Sequence, residues 1–418
     1  RSVNPYIRSK KTSMNQEIVD SITKKFEELY GDTTGAKIYF APGRVNLIGE
    51  HVDYLGGHVF PCALTIGTYM IVKPRTDSTI RFFSINIKPE RKYEDKLENI
   101  FSHENPDKQY VKTLGWTAYP KGVIWAFNKA RKLRATHGFD AVVGGDIPAG
   151  SGLSSSASLE VLMGYVLRDM FNWTTITNID LAKIGKYSEN NFNGVNCGIM
   201  DQFASAMGKK DCAIFLDTSS LEFVYAPIKL NGAKIVVTNT NKPHSLADSK
   251  YNERRAQAEE AFKDLKTVKP ELENLCDLQL EDFYQLGTAI KNPTCWRRAK
   301  HAISENERTL KAVEVLKQGK IDNFGDLMNE AGASIRYDYE ATCHEQDVLV
   351  DASRVQNGVI GVRMTGGGWG GCIVALVKDE FIDSYKQNVA KIYCERTQYK
   401  PSFYVVSVGD GPSVVKVL

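Results

Sequence analysis

Residues 146–162 read DIPAGSGLSSSASLEVL, two glycines and five serines leading into a run of apolar helix formers. The first four amides of a helix lack internal partners and sit at the positive end of its dipole. A glycine-rich approach lets phosphate oxygens reach them. Gly150 and Gly152 leave out the Cβ that would block that approach. Ser154, Ser155 and Ser156 add hydroxyls that suit a phosphate or a magnesium ion. Serine before a helix is more often simply a cap, but a cap needs one hydroxyl and this stretch has several. Two familiar phosphate loops are excluded. No Gly-Lys pair is followed by Ser or Thr, so the GxxxxGK[ST] loop is absent. Gly366, Gly368 and Gly371 satisfy GxGxxG by spacing but lead into CIVALV, a strand candidate, where a dinucleotide fingerprint must open a helix.

The elements that must position this stretch follow from periodicity. After Gly152, Leu159, Leu162, Met163, Val166, Leu167 and Met170 recur at helical spacing. KIYFAPG, TYMIVKPRTDSTIRFFSI and AKIVVTNTN are rich in β-branched and aromatic residues and predict strands, and CAIFLDTSSLEFVYAPI predicts a hairpin. SKYNERRAQAEEAFKDL, RAKHAISENERTLKAVEVLKQG and DNFGDLMNEAGASI predict three helices, and GVRMTGGGWGGCIVALV a strand, loop and strand. The pattern is α+β in both halves rather than a clean βαβ series. With 418 residues, 42% of them hydrophobic, two domains are expected, and the lack of a Pro/Gly/Ser-rich linker implies that they pack closely.

Composition removes several classes of function. No apolar run approaches the roughly 18 residues of a membrane span. Eight cysteines without a CxxC pair or a zinc-like Cys/His cluster point to reduced thiols and a cytoplasmic protein. Residues 1–13, RSVNPYIRSKKTS, carry four basic side chains and no acid, and read as a remnant of expression ahead of Met14. Without those four charges the formal net charge of +3 becomes −1, so neither nucleic acid nor a membrane is the expected partner. The expected partners are small molecules, with the chain a monomer or a weak homo-oligomer.

Three segments, APGRVNLIGEHVDYLGGHVFP (residues 41–61), PAGSGLSSSAS (148–158) and MTGGGWGGCIVAL (364–376), closely resemble in order and spacing the signatures of the galactokinase, homoserine kinase, mevalonate kinase and phosphomevalonate kinase (GHMP) superfamily. The first resembles galactokinases in particular, as do GVNCGIMDQFASAMGKKDCAIFLD and SKYNERRAQ. The resemblance implies two α+β domains, expected over residues 14–215 and 216–418, with the active site between them. It implies ATP-dependent phosphorylation of the 1-hydroxyl of galactose, with ATP and Mg2+ required. A kinase for N-acetylgalactosamine or L-arabinose, and a catalytically silent sugar sensor, are the alternatives; such sensors lack residues from SSSAS, which is complete here.

Phosphoryl transfer to an alcohol needs an acceptor held in line, cations to balance phosphate charge, and a group to take the hydroxyl proton. Asp201 resembles the family's catalytic base and Arg44 the cation beside it, a neighbour that favours the charged form of a carboxylate. Glu189 with Ser155 resembles the magnesium pair. Gly150, Ser151, Gly152, Leu153, Ser154, Ser155 and Ser156 form the implied phosphate loop, and Trp116 and Tyr119 one side of the adenine pocket. Arg44, Glu50, His51, Asp53, Gly198, Asp201 and Tyr251 are the implied sugar contacts, with Asp53 facing the hydroxyls at carbons 3 and 4 and Glu50 and His51 toward carbon 6. The chain departs from the usual pattern at Val52, Leu55, Ala118 and Pro120 without losing any residue assigned to chemistry.

Overall fold

The computed structural model describes residues 14–148, 150–243 and 247–418; the basic stretch 1–13 lies outside them. In the first half the strands are β1 (Lys37–Asn46), β2 (His58–Val59), β3 (Pro61–Pro74), β4 (Thr79–Ser84), β5 (Tyr93–Lys96) and β6 (Phe139–Gly145). Then come β7 (Cys212–Asp217), β8 (Phe223–Pro227), β9 (Ala233–Asn239), β10 (Val359–Thr365), β11 (Cys372–Lys378), β12 (Ser402–Val406) and β13 (Ser413–Val417). Helices of eight residues or more are α1 (Gln16–Tyr30), α2 (Ala118–Arg131), α3 (Ser155–Met170), α4 (Asn178–Asn191) and α5 (Met200–Met207). The second half adds α6 (Ala247–Lys266), α7 (Pro293–Lys317), α8 (Ile321–Tyr337), α9 (His344–Arg354) and α10 (Ile382–Arg396). Every strand and helix expected from periodicity is present, and the fold is α+β.

A six-stranded sheet in the order β13-β1-β3-β6-β4-β5 forms the first layer. Alternation along β1 sends Ile38 and Phe40 to a core with Val19, Ile22 and Phe26 of α1, and Tyr39 and Ala41 to the opposite core with α2 and α3. With both faces covered, nearly every β1 residue is buried. The ladder with β3 shifts register between Pro42 and Arg44. Such a bulge re-aims the side chain that follows, and here that side chain is Arg44. Helix α3 is more deeply sunk than an amphipathic stripe predicts: Glu160, Val161 and Gly164 are buried along with the expected apolar face.

The second layer is a four-stranded sheet in the order β10-β11-β9-β12. Along β9, Val236 faces α9 and α10, while Ile235 and Val237 face α8. A small sheet, β2-β7-β8, completes the strands. Two features bear on the domain division. The step from residue 215 to 216 falls inside β7, and β13 returns to pair with β1. In space, β13 therefore belongs with the first half.

The departures noted in the sequence are absorbed by the core. Val52, Leu55, Ala118 and Pro120 are all buried. Pro120 sits in the first turn of α2, where a missing N–H costs no helical hydrogen bond.

Candidate active site

A cleft of about 710 Å³ is lined by segments from both layers. On one wall Arg44 of β1, 3% exposed, donates from Nε to Asp201 Oδ1 at 2.7 Å and from Nη1 to the Gly152 carbonyl at 2.9 Å. Its backbone N–H donates to the Leu153 carbonyl at 3.2 Å, fastening the serine-rich loop to β1. Gly150, Gly152 and Ser154 all have positive φ, and Ser154, the residue before α3, makes no side-chain capping bond. Its Oγ is buried without a hydrogen-bond partner. The capping explanation for this serine therefore fails, and the head of α3 has no side-chain cap. A Cβ at Gly366 would come within 2.9 Å of the Gly152 carbonyl, so glycine lets the loop between β10 and β11 lie close against the serine-rich loop.

Asp201 lies in the first turn of α5, its side chain 38% exposed to the cleft. Ile199 before that helix offers no capping atom, and Asp53, distant in sequence, accepts the Met200 N–H at 3.3 Å instead. Asp53 is half-buried, and desolvation of its carboxyl, reinforced by the Asp201 charge, pushes its pKa up to about 6. Gly198 is the close neighbour: a Cβ there would stand 2.2 Å from Asp53 Oδ2.

Glu50 and His51 are held by the second half of the chain. The Glu50 carboxylate accepts from the Gly366 N–H at 3.0 Å and faces Arg363 Nη2 at 3.3 Å. Burial raises its pKa against the pull of Arg363 and Arg44. Its backbone N–H donates to Glu305 Oε2 and its carbonyl accepts from His301 Nε2, both partners on α7. His51 has a left-handed φ of 55°, and burial drops its pKa to about 3, so the ring is neutral. Because a carbonyl only accepts, Nε2 carries the proton donated to Gly367 O at 2.8 Å. Nδ1 then accepts from Tyr54 Oη, also at 2.8 Å. Both ring nitrogens are thus engaged within the protein, and His51 shapes the wall and holds the glycine loop rather than offering a free nitrogen.

Arg44, Glu50, His51, Asp53, Gly150, Gly152, Ser154, Ser155, Ser156, Gly198, Asp201 and Tyr251 all line this one cleft, as the sequence led us to expect. Ser151 and Leu153 do not: both are buried, Leu153 in the core and Ser151 accepting its N–H. Glu189 is buried in α4, and its carbonyl accepts the N–H of Val195, a lining residue. Trp116 and Tyr119 are also off the lining; Trp116 packs edge-on against Phe82 and Tyr93, and Tyr119 packs on the same core. Both are half-buried, so each packs part of its ring on the core and keeps part of it open.

Sequence reasoning missed Thr365–Gly370 as a wall, Lys108, Val111 and Lys112 on a short helix, and, behind the lining, the buried Glu160. The MTGGGWGG run was the available signal for the first. Glu160 is buried, accepts from Gln202 Nε2 at 3.3 Å, and is held well above the usual carboxylate range by burial and by Glu189 beside it. Nothing in its spacing marks it. Among the described residues no group of three His, Cys, Asp or Glu side chains could hold a metal, and no helix is long and apolar enough to cross a membrane.

A cleft between two α+β layers, with a serine-rich helix head facing a carboxylate–arginine pair, is the arrangement of the GHMP kinases. Residues 118–209 and 312–391 match the family models for the N-terminal and C-terminal GHMP kinase domains, and residues 24–74 match the galactokinase galactose-binding signature. The chain is 46% identical over 391 residues to the galactokinase of Lactiplantibacillus plantarum, covering 94% of this chain and 98% of that protein. With the galactokinase of Bacillus subtilis it shares 46% identity, covering 94% and 97%. It superposes on the crystal structure of Lactococcus lactis galactokinase complexed with galactose with a TM-score of 0.90 and 40% identity, over 95% of this chain and 100% of that one. Mevalonate kinase of Methanococcus jannaschii, at 16% identity and a TM-score of 0.63 over 89% and 98% of the two chains, shares the fold. The chain belongs to the galactokinase family, and it is a sugar kinase.

Proposed function

We propose that the protein transfers the γ-phosphoryl group of ATP to the 1-hydroxyl of α-D-galactose, giving galactose 1-phosphate and ADP, the first step of galactose entry into the Leloir pathway. The observation that carries this reading is the 2.7 Å Arg44–Asp201 pair, set in one cleft with the uncapped head of α3 and with Glu50 and Asp53. Asp201 accepts the proton of the 1-hydroxyl as that oxygen bonds to the γ-phosphorus and the bond to ADP breaks. In a loose transition state the proton is needed only late, so a weak carboxylate base suffices. Arg44 holds the carboxylate in place and offers positive charge to the transferring group. The phosphate loop amides and the hydroxyls of Ser154, Ser155 and Ser156 cradle the polyphosphate. Asp53 reads the hydroxyls at carbons 3 and 4, Glu50 lies toward carbon 6, and Tyr251 and the Gly198 backbone bound the ring.

The donor set fits magnesium. The partnerless Ser154 Oγ, the Ser155 hydroxyl in the cleft and the Glu189 carboxylate are hard oxygens, suited to a cation that retains waters and binds nucleotide phosphates. Ser155 and Glu189 would hold the ion, which when bound neutralises phosphate charge. A cytoplasmic monomer or weak homo-oligomer acting on small molecules is consistent with this reading.

A coupled ADP-release assay with galactose, glucose, N-acetylgalactosamine and L-arabinose tests it. Galactose should give the highest kcat/KM. Faster turnover of another sugar would reassign the substrate, and no sugar-dependent ADP release would leave a sensor.

A further inference from the structure

Three carboxylates, those of Glu50, Asp53 and Asp201, line the cleft, and Glu160 and Glu189 lie close behind. The only lysines or arginines among the described lining residues are Arg44, Lys108 and Lys112. Arg44 is committed to Asp201 and to the Gly152 carbonyl. A nucleoside triphosphate would bring several more negative charges into this acidic surrounding, so the two lysines stand out.

They sit on a short helix, Lys108–Thr113, capped by Asp107, whose side chain accepts the Tyr110 N–H at 2.8 Å. Lys108, Val111 and Lys112 are spaced i, i+3, i+4 and share one face, and these three line the cleft. Tyr110 anchors the helix. Its ring stacks on His103 at 3.6 Å and meets Phe192 edge-on at 6.3 Å, and Phe192 leads directly into Asn193, Gly194 and Val195, which line the same wall. Neither lysine forms an ion pair among the described residues. Lysine in the first turn of a helix opposes the dipole, so helix stability does not account for Lys108. A local rule broken in this way beside a site points to a ligand.

We propose that Lys108 and Lys112 form a cationic rim that binds the polyphosphate chain of the nucleotide opposite the phosphate loop. The assignment rests on the kinase reading above and adds two nucleotide-binding residues to it. The rim adds positive charge to the single arginine, Arg44, that lines the cleft.

Equilibrium binding of ATP, ADP, AMP and adenosine to the full chain, with magnesium and without sugar, tests the rim apart from turnover. Lys108→Ala/Lys112→Ala should weaken ATP about ten-fold, ADP less, and adenosine not at all. The charge-preserving Lys108→Arg/Lys112→Arg should bind ATP like the wild type, and the gap between wild type and the alanine pair should shrink as salt is raised. An alanine pair that binds ATP within two-fold of wild type overturns the proposal, as does an equal loss for adenosine, which would make the lysines mere supports of the helix. A wild-type chain that fails to bind ATP overturns the nucleotide reading itself and the rim with it.

Discussion

Asp201 is the residue on which chemistry and architecture meet: it opens α5, takes the Arg44 guanidinium at 2.7 Å, and keeps a face toward the cleft. Asp201→Asn preserves the shape and the Arg44 contact on oxygen but not the proton acceptor. We expect kcat to fall by about 10² to 10⁴, the usual range for a general base, while galactose and ATP binding measured by calorimetry is retained. Near-normal turnover in a preparation shown free of deamidation would remove Asp201 from the role. Asp53 makes a different prediction, because desolvation and the Asp201 charge push its pKa up to about 6. Protonation costs it an acceptor, so kcat/KM for galactose should fall as pH drops through 6. Its folded pKa lies above the ordinary value of 3.8, so holding it charged disfavours the folded state above pH 6, and this penalty is gone below pH 3.8. Asp53→Asn should therefore raise stability at pH 8 by on the order of 2 kcal/mol and change it little at pH 3.5, read by denaturant unfolding. The same variant should lose the preference for galactose over glucose, since an axial or equatorial hydroxyl at carbon 4 changes the pairing of this one acceptor. A preference left intact would move the reader of carbon 4 to Tyr251 or the Gly198 backbone.

At the scale of elements, the start of α5 illustrates how the site is held. Ile199 cannot cap the helix, Asp53 does so by accepting the Met200 N–H, and Gly198 lets the two chains approach. In Gly198→Ala the new Cβ would meet Asp53 Oδ2 at 2.2 Å, and backbone and carboxylate must separate. The galactose KM should rise by roughly ten-fold or more, as for loss of a charged hydrogen-bonding group, while the ATP KM changes little. A parallel rise in both would mean that the turn carries the whole cleft rather than the sugar side. The loop between β10 and β11 acts as a second such element, since Gly366 and Gly367 bind Glu50 and His51 respectively.

Across the whole molecule, the sheet that carries Arg44 is completed by the far end of the chain. β13 pairs with β1 from Lys37↔Val417 to Phe40↔Ser413, and Leu418 exchanges hydrogen bonds with Gly35 and Ala36. Removing residues 412–418 would expose β1 as a long edge, a template for aggregation. We expect the melting temperature to drop by roughly 5 °C or more, with activity lost through instability rather than through a changed KM. An unchanged melting temperature would show that β1 keeps its place without β13. The long helix α7 ties the halves from the other side, its His301 and Glu305 gripping the backbone of Glu50.

Much of this was legible in the sequence because the relevant forces act locally. Two-residue alternation marks β1 and β9, helical spacing marks α3, and a glycine- and serine-rich approach to a helix marks a phosphate loop without any long-range contact. The three signature segments carry the family and with it Arg44 and Asp53, and the further segment GVNCGIMDQFASAMGKKDCAIFLD carries Asp201. What tertiary structure alone decided are the facts that depend on which distant groups meet. Trp116 packs against Phe82 and Tyr93, and Glu160, on a helix wrapped on all sides, became a buried acid whose pKa is pushed well up by burial and by Glu189. His51, which has two ring nitrogens and so invites assignment to a ligand, gave both to Gly367 and Tyr54. No spacing encodes these outcomes, since burial and hydrogen-bond partnership depend on which segments folding brings together, as with His51 and Gly367, 316 residues apart.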